Sequence, residues 1–173
     1  MGSQMFKSED LKNRPWWNYL EEDLQDLLTQ SILLSEKASL WEQKFHDYSF
    51  VVFPAAKAYE GFLKKAFLDS QLITKKDFFG KRFRIGKALN PNLPPKYQNK
   101  SWIYDDLTKF CKGEDLPKNL WRTWKLSRNL VFHWFPKEKR ALSLPEAQER
   151  VGYVVDSIDN FFSECSVDLK LNE

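Results

Sequence analysis

Apolar residues along the chain follow a helical period in several stretches. In residues 15–38 they recur every three to four positions or a multiple of that, and Pro15 suits the first turn of a helix. Residues 50–68 repeat the pattern with more apolar positions, interrupted only by Pro54, which should mark the first turn or a kink. The pattern predicts a long amphipathic helix followed by a second, more buried one.

Capping residues predict three further helices. Ser101 is expected to open a short helix that stops at Gly113. Asp115 can cap the next helix, which we expect to run until Pro136 ends it. Ser143 begins a capping-box sequence that is followed by one apolar stripe, which indicates a final helix. The chain thus shows about five helices and no convincing strand.

These elements predict an all-α protein, an up-and-down bundle of about four to five helices, because each apolar stripe must be covered by the others. The length suits one domain over residues 1–173. Residues 74–100 are rich in Gly and Pro and predict a long basic loop between the second and third long elements, with a short helix near residues 85–89. We expect residues 1–12 to be a flexible N-terminus and residues 166–173 a flexible tail.

Composition narrows the class of protein. A hydrophobic content of 42% is too high for a disordered chain. No stretch approaches the roughly 20 apolar residues that cross a bilayer, so we expect a soluble, cytoplasmic protein without a membrane partner. The cysteines Cys111 and Cys165 and the histidines His46 and His133 are scattered, which makes a zinc site hard to assemble. We therefore expect no metal and no other cofactor.

The charge is distributed unevenly, with acidic ends and a basic middle. Residues 75–87 hold six bases against the single acid Asp77, with three Phe residues between them. Cations interleaved with aromatics suit a polyanion whose bases can stack. The alternative is a solvated loop whose Phe side chains anchor it to the core. The six bases are Lys75, Lys76, Lys81, Arg82, Arg84 and Lys87.

Residues 127–136 place an Arg, an Asn and a His on one predicted helix that is otherwise apolar and aromatic. Asn129 and His133 are four positions apart and should share a face, which Arg128 can reach. His133 would lie in the last turn, where the helix dipole favours its protonated form.

Such residues suit RNA cleavage by internal transfer. A histidine can move the proton of the 2′-hydroxyl, and a guanidinium can stabilise charge on the phosphoryl oxygens. The alternative is structural: Arg128 pairs with a carboxylate, and His133 forms a hydrogen bond with a helix end.

The arrangement Arg128-Asn129-x-x-x-His133 matches the R-[N/D]-x3-H motif of the HEPN superfamily, on a late helix as in that family. Residues 53–65, which contain Glu60, resemble a helix of its RNase LS branch. The resemblance covers most of residues 45–165.

The resemblance implies a metal-independent endoribonuclease, often a toxin in phage-defence or toxin–antitoxin systems. It implies a homodimer that joins two copies of the motif at one cleft, and an antitoxin protein is a further expected partner. Arg128 and His133 are then the catalytic pair, Asn129 orients them, and Glu60 is a third polar member. Glu60 with Lys64 is equally an ordinary surface pair on one helix.

In this interpretation RNA is bound by the six bases of residues 75–87 together with Lys118, Arg122 and Lys125. A competing hypothesis is a non-catalytic helical module for dimerisation or for binding a nucleotide or protein. A DNA-binding helix-turn-helix protein is weaker, because the basic stretch is rich in Gly and Phe and does not form an exposed recognition helix.

Overall fold

The computed structural model describes residues 7–134, 136 and 140–165. Within these ranges the secondary structure is helical and contains no strand, which confirms the all-helical class. Two short 3-10 turns occupy Trp17–Tyr19 and Pro95–Tyr97. The described α-helices are α1 Ser8–Lys12, α2 Glu22–Leu40, α3 Ser49–Asp69, α4 Lys75–Phe79, α5 Ile85–Ala88, α6 Tyr104–Phe110, α7 Asp115–Trp124 and α8 Leu144–Glu164.

The N-terminal part differs from its prediction. Within the segment expected to be flexible, α1 forms and buries Leu11, whereas residues 1–6 lie outside the described residues. The predicted single helix over residues 15–38 is wrong at its start, since the chain is extended at Leu20 before α2 begins. Tertiary contacts explain the break, because buried Trp16 donates its indole N–H to Asp159 of α8 at 2.5 Å.

Helix α3 lies at the centre of the core and packs against both α2 and α8. Its bounds agree with the prediction within one residue at each end, and Pro54 lies in its second turn. Phe62 is fully buried and packs edge-on against Phe161 of α8, with ring centres 5.4 Å apart. Tyr59 is also fully buried, and its hydroxyl lies 2.8 Å from Ser157 Oγ of α8. The apolar stripes of these helices thus cover one another.

Residues 74–100 are anchored along much of their length. The predicted short helix is α5, which buries Ile85 and Ala88, and α4 and the second 3-10 turn were not predicted. Phe83, in the chain that connects α4 and α5, is buried. The carbonyl of Ala88 accepts a hydrogen bond from the Ile103 N–H at 3.0 Å, so the segment is tied to the chain that leads into α6.

Helix α7 ends earlier than predicted. A π-helical turn, Lys125–Asn129, follows it directly, and the Leu130 N–H donates to the Lys125 carbonyl at 3.0 Å. The helix therefore does not run to Pro136. The buried hydroxyl of Ser127 donates to the Arg150 carbonyl of α8 at 3.2 Å, which holds this turn against α8.

The final helix begins as predicted. Ser143 is its N-cap, and the Ser143 hydroxyl and the Glu146 carboxylate form the capping box. Its far end is held by a Cys111–Cys165 disulfide, which the spacing of the two cysteines did not predict. Residues 166–173, the predicted tail, lie outside the described residues. Among the helices that the structure describes, none is long and apolar enough to span a membrane.

Candidate active site at the π-helical turn

Arg128 lies within the π-helical turn Lys125–Asn129 and is partly buried. Its guanidinium carbon is 5.6 Å from the centre of the Trp124 ring, a cation–π arrangement that fixes the side chain against the end of α7. A π turn inserts one residue into the helical path and is often found at functional sites. The turn therefore sets the direction in which Arg128 leaves the helix.

Asn129 and Trp124 both face α5. A Cβ built on Gly86 would lie 2.9 Å from Trp124 Nε1 and 3.7 Å from Asn129 Nδ2. Trp124 is 4% exposed, and its Nε1 forms no hydrogen bond within the described residues. The predicted catalytic segment and the predicted RNA-binding segment thus meet directly at Gly86.

His133 does not lie on this helix. After the π-helical turn one further helical bond joins the Phe132 N–H to the Arg128 carbonyl at 3.3 Å, and His133 follows in non-helical chain with an exposed side chain. The prediction that Asn129 and His133 share a helical face is therefore wrong, and so is the argument from the helix dipole.

The reason for this early departure is a contact to α3. Phe132 packs edge-on against Phe53 in the first turns of α3, with ring centres 5.4 Å apart. This contact draws residues 130–132 toward α3. His133 therefore follows Phe132 near the N-terminal part of that helix.

Glu60 lies on the same face of α3 as Phe53, two turns or about 10 Å further along. Its Oε1 is 3.1 Å from Lys64 Nζ, and both side chains are partly exposed. The structure thus contains the ordinary i,i+4 pair that was one of the two interpretations of Glu60.

The predicted RNA-binding bases fall into two groups. Five of those in residues 75–87, the basic segment, line a single pocket of about 620 Å³, the basic pocket, together with Asn99 and Ser101. Lys75 is exposed on α4 and does not line it. The five are Lys76, Lys81, Arg82, Arg84 and Lys87.

The other three predicted bases lie on or after α7. Lys118 forms an ion pair with Glu114, whose side chain raises the pKa of the ammonium group. Arg122 lies over the Tyr153 ring at 5.8 Å and lines a separate pocket between α7 and α8. Lys125 is exposed at the start of the π-helical turn. These residues do not line the basic pocket.

Sequence reasoning missed two residues of the pocket. Asn99 and Ser101 follow the basic segment by more than ten positions and carry no motif. The Ser101 N–H donates to Asn99 Oδ1 at 3.0 Å, an Asx turn that the pattern of a polar loop does not distinguish from many others.

Among the described residues no group of three or more His, Cys, Asp or Glu side chains is placed to hold a metal ion. Comparisons with protein-family models, with curated proteins and with solved structures gave no match for this chain.

Proposed function

We propose that the chain is a metal-independent endoribonuclease that cleaves RNA by attack of a 2′-hydroxyl on the adjacent phosphorus. The observation that carries the proposal is the contact at Gly86, where Trp124 and Asn129 meet the basic segment. A strand held by that segment would lie beside Arg128.

In the proposed reaction the 2′-oxygen forms a bond to phosphorus and the bond from phosphorus to the 5′-oxygen breaks. The products are a 2′,3′-cyclic phosphate and a 5′-hydroxyl. His133 accepts the proton of the 2′-hydroxyl and delivers it to the departing 5′-oxygen, and Arg128 stabilises the charge on the phosphoryl oxygens. Asn129 orients this pair, and Glu60 is a third polar residue of the site.

We also propose that the helices form an up-and-down bundle and that two copies pair through the surface that carries Arg128 and His133. Support comes from exposed aromatic side chains there, since Trp134 is 82% exposed and Phe53 is 51% exposed. Large aromatic residues are enriched in interfaces between proteins. Because His133 is exposed beside this surface, a second copy would bring two histidines to one cleft.

The biological role follows the resemblance to HEPN ribonucleases. We propose a toxin of the phage-defence or toxin–antitoxin type that acts on RNA in the cytoplasm and is restrained by an antitoxin protein. This role requires that the protein cleaves RNA, which can be measured directly.

The experiment compares cleavage of a structured RNA by wild type, His133→Ala and His46→Ala in the presence of EDTA. His46 is exposed and serves as the matched histidine control. We expect the rate of cyclic-phosphate formation to fall at least about 100-fold in His133→Ala and to be retained in His46→Ala. Equal cleavage by all three proteins, or none by wild type, would overturn the proposal.

A non-catalytic dimerisation or ligand-binding module is the second candidate. It is favoured by the exposed, non-helical position of His133 and by the pairing of Glu60 with Lys64. It predicts that Trp134→Ala converts a dimer to a monomer in light scattering, while the dimeric wild type cleaves no RNA.

A further inference from the structure

The basic pocket has a strong excess of positive charge. Five cationic side chains line it with one acidic residue, Asp77. Asp77 is already engaged, since its Oδ2 accepts the Thr74 hydroxyl at 2.6 Å in the capping box of α4. Within the described part of the chain Lys81 and Arg82 are exposed and take part in no ion pair. Their charge is available to a ligand.

An exposed aromatic residue lies directly next in sequence to the lining of this pocket. Phe79 is 78% exposed and directly precedes Gly80, which lines the pocket. Its ring meets partly buried Phe78 edge-on at 4.9 Å, so one face of the pair is anchored while Phe79 stays open to solvent. Because Phe79 is so exposed, it contributes little to the core, whereas Phe83 of the pocket lining is buried.

An exposed aromatic ring and a basic pocket on one segment are the two features by which proteins hold single-stranded nucleic acid. Cations follow the phosphates, and bases stack on aromatic side chains. A duplex keeps its base faces inside the helix and offers mainly phosphates. The pair of features thus favours a single strand.

We infer that the pocket binds a phosphate of single-stranded RNA and that an adjacent base stacks on Phe79. The volume of about 620 Å³ lies in the range of small-ligand pockets, roughly 300–1,000 Å³. Asn99 and Ser101 also line the pocket and carry neutral hydrogen-bonding groups, an amide and a hydroxyl. The choice of RNA as the polyanion rests on the proposed function.

The position of the pocket connects it to the candidate active site. Lys87 lines the pocket, and its neighbour Gly86 faces Trp124 and Asn129. Both residues belong to the single short helix α5. A strand whose phosphate lies in the pocket is therefore held by the same short helix that meets Trp124 and Asn129 through Gly86, so the pocket would select which part of an RNA reaches Arg128.

The test measures fluorescence anisotropy of a short labelled RNA with His133→Ala, which removes cleavage from the binding readout. We expect the single strand to bind at least about tenfold more tightly than the same sequence in a duplex. Adding Phe79→Ala should weaken single-strand binding about tenfold, whereas the control Phe110→Ala should not. Equal binding of single strand and duplex, or no effect of Phe79→Ala, would overturn the inference.

Charge is tested separately. The double variant Lys81→Gln, Arg82→Gln should lower the slope of log affinity against log salt concentration by about one in magnitude. The control double variant Lys12→Gln, Lys37→Gln should leave this slope unchanged. Inorganic phosphate should compete with the RNA in the parent and not in the pocket variant. An unchanged slope would contradict a phosphate site.

The outcomes separate the two proposals. Selective binding by His133→Ala with no cleavage by wild type would leave the pocket in place and reject the ribonuclease. If wild type and Phe79→Ala cleave single-stranded RNA at the same rate, the pocket proposal is rejected and the ribonuclease proposal is not. Phe79→Trp, which keeps a stacking surface, should restore binding if the ring acts as proposed.

Discussion

Trp124 stands directly over Gly86: its indole nitrogen would lie only 2.9 Å from a Cβ at that position. Such a distance is shorter than a normal packing contact, so α5 and the end of α7 approach this closely because residue 86 has no side chain. The contact joins the basic segment to the turn that carries Arg128.

Gly86→Ala should therefore disturb both stability and cleavage. The added methyl group must displace the buried Trp124 ring or α5, which we expect to cost about 1–3 kcal/mol of unfolding free energy. Cleavage per folded molecule should also fall, because Arg128 packs on the same ring. Urea unfolding and cleavage rates at matched folded fraction measure the two effects.

Gly113→Ala is the matched control, since a Cβ there would meet nothing within 4 Å. We expect it to change stability by less than about 1 kcal/mol in either direction. If both alanine variants behave alike, Trp124 can move aside without consequence and the contact does not couple the two segments.

Sequence patterns correctly predicted those parts of the fold that interactions between nearby residues determine. The bounds of α3 follow from its apolar period, and the start of α8 follows from the Ser143 capping box. Both signals lie within a few residues of the feature that they predict. They do not depend on distant contacts.

The end of α7 depends on distant contacts, so the sequence pattern placed it wrongly. Ser127 is held by the Arg150 carbonyl, and Phe132 packs on Phe53, although apolar residues continue the helical period beyond Asn129. Periodicity shows which residues are buried but not when tertiary packing interrupts the helix. The same limit kept Asn99 out of the predicted binding residues.

Glu60→Gln distinguishes a role in cleavage from a surface ion pair. Loss of the pair alone should cost only a few tenths of a kcal/mol. In addition, we expect the cleavage rate of the folded variant to fall about tenfold below that of wild type. Glu60 is proposed as part of the site, and the substitution removes its charge. Cleavage rates and thermal unfolding are measured on the same preparations.

Lys64→Gln breaks the same ion pair from its other side. It should reproduce the small loss of stability while cleavage is retained. Equal cleavage by the two variants, whether normal or reduced, would assign Glu60 to the ion pair only.

Stability should depend on pH through Asp47, which links the start of α3 to the chain before α8. Its Oδ1 accepts hydrogen bonds from the Ser49 hydroxyl at 2.6 Å and from the Leu142 N–H at 3.1 Å. Burial raises the pKa of this carboxyl, but the hydrogen bonds from Ser49 and Leu142 outweigh it, and the net pKa is lowered.

A lowered pKa in the folded state means that the carboxylate stabilises the fold above its ordinary pKa, and that this contribution is lost as pH falls through the lowered value. Asp47→Asn should therefore be less stable than wild type at neutral pH, and the difference should shrink as pH falls through the lowered pKa of Asp47. Urea midpoints across this range give the difference. Glu42→Gln, at an exposed position, controls for a general change in charge, and a parallel offset of Asp47→Asn at every pH would contradict the prediction.

Reduction of the Cys111–Cys165 disulfide should destabilise the fold. The bond joins the C-cap of α6 to the C-cap of α8 across a sequence separation of 54 residues. A loop of this length corresponds to about 4 kcal/mol by chain entropy, so we expect a loss of about 2–4 kcal/mol on reduction. Unfolding with and without a thiol reductant measures it, and a double Cys→Ser variant should be insensitive to the reductant.

The same experiment bears on the proposed compartment. Disulfides are rare in the cytosol, where thiols are kept reduced. An enzyme that acts there must work with Cys111 and Cys165 as thiols, and the disulfide lies at the far end of α8 from its N-cap Ser143. We therefore expect cleavage at moderate temperature to survive reduction even though stability falls. Cleavage that is lost on reduction while the protein stays folded would reject the cytoplasmic role and place the enzyme in an oxidising environment.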